Sequence, residues 1–301
     1  MAHRLLCQLA VRGAALLLVL AGCVRPPPDP GPPIYPTLEP DPVFDPRPTG
    51  LADLRSIAAA ASIALEVGPA PPVTTQGCPA SVLDGGGLHG GARCYRCTLA
   101  IAESRPGALH PLEVPLRTLA DTLLAYPHSF LRVARIERIA LCGKLVRDPD
   151  TEPSERVAGL AESGSRRLMV GVGLADARHA TATLHHEIFH LFDHATDPDG
   201  DHQRDVEWER LNPRGFRYGD PAWPGLDGFV SDYARTAVPE DKASVFEYLM
   251  GFPDELCARA VDDPRLMAKA RLLLARIDAA VPPGLGAFAR RKASCLTAAG
   301  S

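Results

Sequence analysis

The chain of 301 residues lacks several features that would narrow its class at once. It has no strong charge of either sign. A formal net charge of −4 is too mild to suggest binding to nucleic acid or to an acidic membrane surface. It has no internal repeat, which argues against solenoids and propellers. It has no apolar run long enough to span a bilayer: the stretch Gly13 to Ala21 is far too short for a transmembrane helix. It has no second CxxC to complete a four-cysteine zinc site with Cys94 and Cys97, so disulfide bonding is the favoured reading of those thiols. What is present is an apolar fraction of 46%, enough for a packed core, and a length that suits one sizeable domain plus an appendage, or two small domains. The 30 prolines and 26 glycines cluster, which marks local linkers and loops.

The N-terminus reads as an export signal. Arg4 and Arg12 precede the short apolar run, which ends in Leu20-Ala21-Gly22-Cys23. That LAGC sequence resembles a bacterial lipobox, in which residues 1–22 are cleaved and Cys23 becomes the acylated N-terminus. Val24 rather than an aspartate follows Cys23, which leans towards outer-membrane sorting. Residues 23–49 then form a lipidated, proline-rich spacer, and the folded domain is expected over 50–301. Export would leave Cys78, Cys94, Cys97, Cys142, Cys257 and Cys295, an even set in an oxidising compartment, with Cys257–Cys295 one expected pair.

Within the domain, the run from Leu51 to Glu66 has strong helix formers and no breaker, so it is expected to be one helix. Residues 68–93 read as a long loop. A helix is expected from about Leu112 to Ala125, strands at Leu131–Leu141 and Leu168–Val172, and helices from Asp176 onward, including 240–250 and 264–280. Strands before and helices after suggest an α+β fold: a small mixed sheet followed by a mainly helical C-terminal part.

The chemistry concentrates in Leu184-His185-His186-Glu187-Ile188-Phe189-His190-Leu191-Phe192, which contains HExxH. On a helix, His186 and His190 lie one turn apart on one face, close enough to hold one metal ion. Leu184, Ile188 and Leu191 share the opposite, core-facing side. Glu187 lies beside the metal face, placed to take a proton from water rather than to ligate. A third ligand is needed. His194 and His179 sit too far along the axis from the remoter histidine to share one tetrahedral ion. The metzincin pattern is excluded, because it needs Gly and His where this chain has Asp193 and Thr196. The acidic run Asp197-Pro-Asp199-Gly-Asp201 has its glycine in the wrong place for an EF-hand and reads as a solvated turn. Two glutamates stand in the downstream segment Gly228 to Met250. They are Glu240, just after Pro239 at a helix start, and Glu247, two turns on along nearly the same face.

Here the sequence resembles a family. HExxH followed some fifty residues later by a helix-borne Glu is the gluzincin arrangement. Tyr233, Arg235, Thr236, Glu240, Ala243 and Phe246 are similar to the pattern of the lethal-factor-type catalytic domain and related bacterial zinc-binding lipoproteins. The likeness covers roughly residues 110–255. It implies a zincin-like fold, Zn2+ held by His186, His190 and Glu240, Glu187 as general base, and Tyr233 aimed at the developing oxyanion. It also implies that strand Arg167–Gly173 is the sheet edge where an extended substrate adds. The family's second acid, four residues after the ligand, is replaced by Ser244, so support for the histidines is expected from Asp241 or Glu247. Trp208 and the run Asn212 to Tyr218 are expected to pack beside the active-site helix.

The resulting expectation is a zinc metallopeptidase acting on a peptide or protein substrate, tethered to a membrane through Cys23, with no nucleic-acid partner. A zinc amide hydrolase with a cell-wall substrate would use the same residues. A non-catalytic zinc-binding lipoprotein would need neither the base nor the oxyanion donor.

Overall fold

A computed structural model describes residues 50–67, 73–74, 95–99, 113–147, 155–171, 177–197, 203–281 and 285–296. The proposed signal, Cys23, the spacer, Cys78, Cys94, Asp199 and Asp201 all lie outside the described residues. The described elements belong to one compact unit, Arg47–Ser301. No described helix is long and apolar enough to cross a membrane.

The fold is α+β. Helix α1 (Gly50–Ala60) leads into strand β1 (Ala64–Glu66), followed by β2 (Val73–Thr74) and β3 (Tyr95–Leu99). Helices α2 (Glu113–Leu124) and α3 (His128–Val133) precede the long strand β4 (Arg138–Arg147), then β5 (Glu155–Arg156), β6 (Gly159–Glu162) and β7 (Arg167–Gly171). The described elements after the sheet are all helices: α4 (Ala177–Thr196), α5 (Val206–Glu209), a single 3-10 turn at Tyr233–Arg235, α6 (Val238–Gly251), α7 (Pro253–Asp262), α8 (Pro264–Ala280) and α9 (Leu285–Lys292), with a last 3-10 turn at Ser294–Leu296. The sheet runs β2-β3-β4-β7-β6, with β1 and β5 also pairing to β4. Pairs β1–β4 and β4–β7 are parallel and the others antiparallel, which makes the sheet mixed.

Three expectations are corrected. The run from Leu51 to Glu66 is a helix and a strand. Helix α1 ends because Ser62 takes a left-handed conformation (φ 60°), while Ile63 N–H bonds to the Ala58 carbonyl and Ser62 N–H to Ala59. That is a Schellman stop, sealed by buried Ile63. The run Leu131–Leu141 breaks in the same way. Helix α3 stops with Arg135 at φ 53°, Ile136 N–H reaches back to Leu131, and β4 begins only at Arg138. The third correction concerns the sheet edge. β7 is interior, flanked by β4 and β6, so the edge strand beside the HExxH helix is β6. The turn at Ser163–Arg166 folds β6 back antiparallel onto β7, with Arg166 at φ 51°.

The core has two parts. Cys97, Ala140, Cys142, Leu145 and Met169 form a buried cluster within the sheet, covered by Val157 and Leu160. Between the helices, Tyr126, Phe130, Phe189, Phe192 and Phe246 stack with ring centroids 4.6–6.3 Å apart. Disulfides join Cys97 to Cys142 and Cys257 to Cys295. Cys97 is therefore half of a cystine and not a zinc ligand, and the expected C-terminal pair is present.

Candidate metal centre

Helix α4 carries HExxH with its apolar residues turned to the core: Leu184, Ile188, Leu191 and Phe192 are all buried. His185 also faces inward, with its Nδ1 against the Tyr126 hydroxyl. Burial, helped by the charge of Lys292, pushes its imidazole down to about 3, so it sits in the core as a neutral ring. His186 and His190 take the other face, with ring centroids 4.8 Å apart. His186 is itself buried, because α6 lies across a face that the periodicity alone leaves open.

The acid comes from the first turn of α6, which Val238 and Pro239 open. Glu240 Oε2 is 3.0 Å from His186 Nε2 and 3.3 Å from His190 Nε2. One ligand atom from each of His186, His190 and Glu240 lies within 4.8 Å of the others. Bonds of 2.0–2.1 Å around a tetrahedral ion place neighbouring donors about 3.4 Å apart, so this two-nitrogen, one-oxygen set fits a single zinc ion with a fourth position open. Glu247, the rival third ligand, is placed differently. Its Oε2 lies 3.1 Å from His186 Nδ1, the nitrogen that turns away from Glu240. An imidazole held from behind by a carboxylate presents its other nitrogen in a fixed tautomer and direction. Of the two acids expected to support the histidines, Glu247 is the one in contact with an imidazole. Asp241, the other candidate for that task, points away from the histidines.

The electrostatics agree with a cation site. Burial alone would push the His186 imidazole down, but hydrogen bonds to Glu240 and Glu247, with the charge of Glu187, outweigh it and raise it to about 10. Burial would likewise raise Glu240, and its hydrogen bonds to His186 and His190 hold it well below the usual carboxylate range instead. Glu187 is different: burial prevails and keeps its carboxyl above the ordinary value, against the pull of both histidines. Its Oε2 accepts the main-chain N–H of Ala161 at 2.8 Å.

Tyr233, on its 3-10 turn, has its ring centroid 5.7 Å from that of His186. The residue is 57% exposed. What burial its hydroxyl has, with the neighbouring Glu240, raises the phenol far above its usual value.

These groups open on a cleft of about 520 Å³. One wall is α4, contributing Thr183, Asp193 and His194; the other is the chain from Val157 to Ala161, with Tyr95 at its end. Neither Tyr95 nor the β6 wall was recognisable from the sequence. Tyr95 is brought there by the pairing of β3 with β4, and the β6 wall by the pairing of β6 with β7. His194 lines the cleft but is not among the converging ligand atoms. Trp208 and Tyr218 pack beneath the first turn of α6, where the indole Nε1–H and the phenol O–H both donate to Asp241 Oδ2.

No family model, curated protein or solved structure matches the chain. What the site can do therefore rests on its own geometry: two imidazoles and a carboxylate in ligating positions, a separate carboxylate beside them, and a phenol across the opening.

Proposed function

We propose that the chain is a zinc-dependent peptidase of gluzincin type on a zincin-like fold. The observation that carries the reading is the convergence of Glu240 with His186 and His190 while Glu187 stays outside the ligand set. Zinc held by those three residues would supply a Lewis acid and bring the pKa of water down to about 7. Glu187 takes the proton from the attacking water and returns it to the leaving nitrogen; its raised proton affinity suits both steps. The Tyr233 hydroxyl donates to the oxyanion that develops on the scissile carbonyl, a contribution worth about 3 kcal/mol for one well-placed donor. Glu247 holds His186 in register. The outward main chain of β6 is the edge against which an extended peptide would lie.

Export and acylation at Cys23 belong to the same proposal. Their support is the LAGC sequence and the two disulfides, which persist in oxidising compartments.

The test is metal analysis of the purified domain with cleavage of a proteome-derived peptide library, with and without chelator. Glu187→Gln should keep stoichiometric zinc and lose turnover; Glu240→Gln should lose zinc itself. Full zinc retention in the second variant, or cleavage insensitive to chelator, refutes the assignment. Cleavage of cell-wall amides but of no peptide would redirect the reading to a non-protein substrate. Labelled palmitate incorporation that survives Cys23→Ser would refute the anchor.

A further inference from the structure

We infer that Gly159 and the main-chain N–H of Ala161 form a seat on β6 that aims the Glu187 carboxylate into the cleft, which makes Gly159 a positioning residue. The inference rests on the role of Glu187 proposed above and adds what holds that side chain in place. Thr183 and Glu187 lie one turn apart on α4 and so share one stripe of its surface. Strand β6 crosses that stripe. A Cβ added at Gly159 would lie 2.7 Å from Thr183 Cγ2 and 2.8 Å from Glu187 Cγ. Neither atom is the far end of a flexible chain. The first belongs to a β-branched residue with a stiff χ1, and the second is the first bend of the glutamate itself. Only a glycine lets the strand lie this close to the helix, and the contact it makes is with the stem of the base.

The same strand supplies the second point of contact. Gly171 N–H donates to the Ala158 carbonyl, and β6 pairs antiparallel with β7 in a register that sets Leu160 opposite Met169. In such a ladder alternate residues turn their main chain to the partner strand, so Ala158 and Leu160 face β7 while Gly159 and Ala161 face outward. The Ala161 N–H is therefore free of the sheet, and Glu187 Oε2 accepts it at 2.8 Å. Stem and carboxylate are each held by one of the two outward-facing residues of a short strand, which leaves the other carboxylate oxygen for the cleft.

The test separates positioning from packing. Gly159→Ala should lower kcat by about 10- to 100-fold, the effect of misplacing a catalytic group by an ångström or less, with bound zinc unchanged. It should also lower Tm, since two contacts are violated. Adding Thr183→Ser removes the 2.7 Å contact and leaves the one to Glu187, so the double variant should regain Tm without regaining kcat. If Gly159→Ala does not fold, Ala161→Pro probes the other half of the seat: it deletes the donated N–H without removing a ladder hydrogen bond and should lower kcat in the same way. A kcat within about twofold of wild type in the folded variant overturns the seat, whatever happens to KM or Tm. Glu187→Gln run alongside keeps the two claims apart. Wild type and Glu187→Gln equally inert would sink the hydrolase reading; active wild type, dead Glu187→Gln and fully active Gly159→Ala would sink the seat alone.

Discussion

Replacing Lys269 by methionine probes the part of the structure that braces helix α6. Lys269 on α8 and Asp241 on α6 are both 0% exposed, with Nζ 2.7 Å from Asp241 Oδ2 and 2.7 Å from the Gly228 carbonyl. The ammonium also sits 3.9 Å from the centre of the Phe229 ring. Burial pushes Asp241 up and Lys269 down, each towards its neutral form, and the attraction and hydrogen bond within the pair oppose both shifts. Lys269→Met conserves length and apolar stem but leaves a buried carboxylate with only the Trp208 and Tyr218 donors, and leaves the Gly228 carbonyl without its ammonium donor. Breaking a buried pair by removing one partner costs about 3–5 kcal/mol. The two surviving donors argue for the lower half of that range, and the lost bond at Gly228 adds about 1 kcal/mol, so the expected loss is about 4 kcal/mol.

Urea unfolding should show this as a lower midpoint at constant slope, and calorimetry as a fall in Tm of about 8–16 °C for a domain of this size. Adding Asp241→Asn removes the stranded charge while its amide oxygen still accepts from Trp208 and Tyr218. The double variant should recover to within about 1.5 kcal/mol of wild type. A single variant within 1 kcal/mol of wild type, or a double variant no better than the single, refutes the account of a charge-paired core.

Three further changes follow from the structure. Glu247→Gln should weaken zinc binding by about 10- to 100-fold, measured by chelator competition, because His186 loses the carboxylate behind its Nδ1; unchanged affinity would leave Glu247 without that task. Removing the Cys257–Cys295 bridge with paired serines should cost about 4 kcal/mol in denaturant unfolding, the chain-entropy value for a separation of 38 residues. Arg276→Gln should cost about 1 kcal/mol at neutral pH, since the arginine is a third exposed and the pair partly screened. Burial alone would raise Asp205, but the Arg276 hydrogen bonds outweigh it and hold its carboxyl below the ordinary value. A depressed carboxyl stabilises above its unfolded pKa near 3.9 and loses that contribution as pH falls through its folded pKa, so the cost of Arg276→Gln should shrink steadily below about pH 3.9. A cost that persists there would mean the arginine acts through its stem.

The parts of the fold that could be read in the sequence were those whose physics is local. The period of α4 sorts Leu184, Ile188 and Leu191 from the histidines without any tertiary information. Helix α8 spans Pro264–Ala280, the range expected for it. The two misread boundaries share one cause. Ser62 and Arg135 take left-handed conformations that glycine usually signals, so neither chain reversal leaves a compositional mark. The edge strand was misplaced because pairing order is a non-local property: β7 is the more hydrophobic segment because it is interior, and β6 is short and half-buried. Glu240 was singled out by the family resemblance around Tyr233, with Glu247 as rival on nearly the same helical face; the structure sets the two against opposite nitrogens of His186. The seat of Glu187 was out of reach of any pattern. Gly159 is one glycine among 26, and the donor at Ala161 belongs to the main chain.

The arrangement around Glu240 also explains why a helix this buried carries two charged residues in succession. A donor set split between two helices holds a metal only if their separation is fixed within about 0.2 Å. Apolar packing alone tolerates small slides, because one methyl contact can replace another. Directly after Glu240, Asp241 pairs with Lys269 on α8, and Lys242 pairs with Asp193 on α4, three residues beyond His190. Asp241 also receives Trp208 and Tyr218, from α5 and the loop that follows it. A slide of α6 by even part of a turn would strand these buried charges, at a cost of several kcal/mol each. The charges make the position of α6 discrete where hydrophobic contact would leave it continuous. If Glu240 ligates as proposed, the residues that follow it are as much a condition of metal binding as Glu240 itself, although none of them is among the converging ligand atoms.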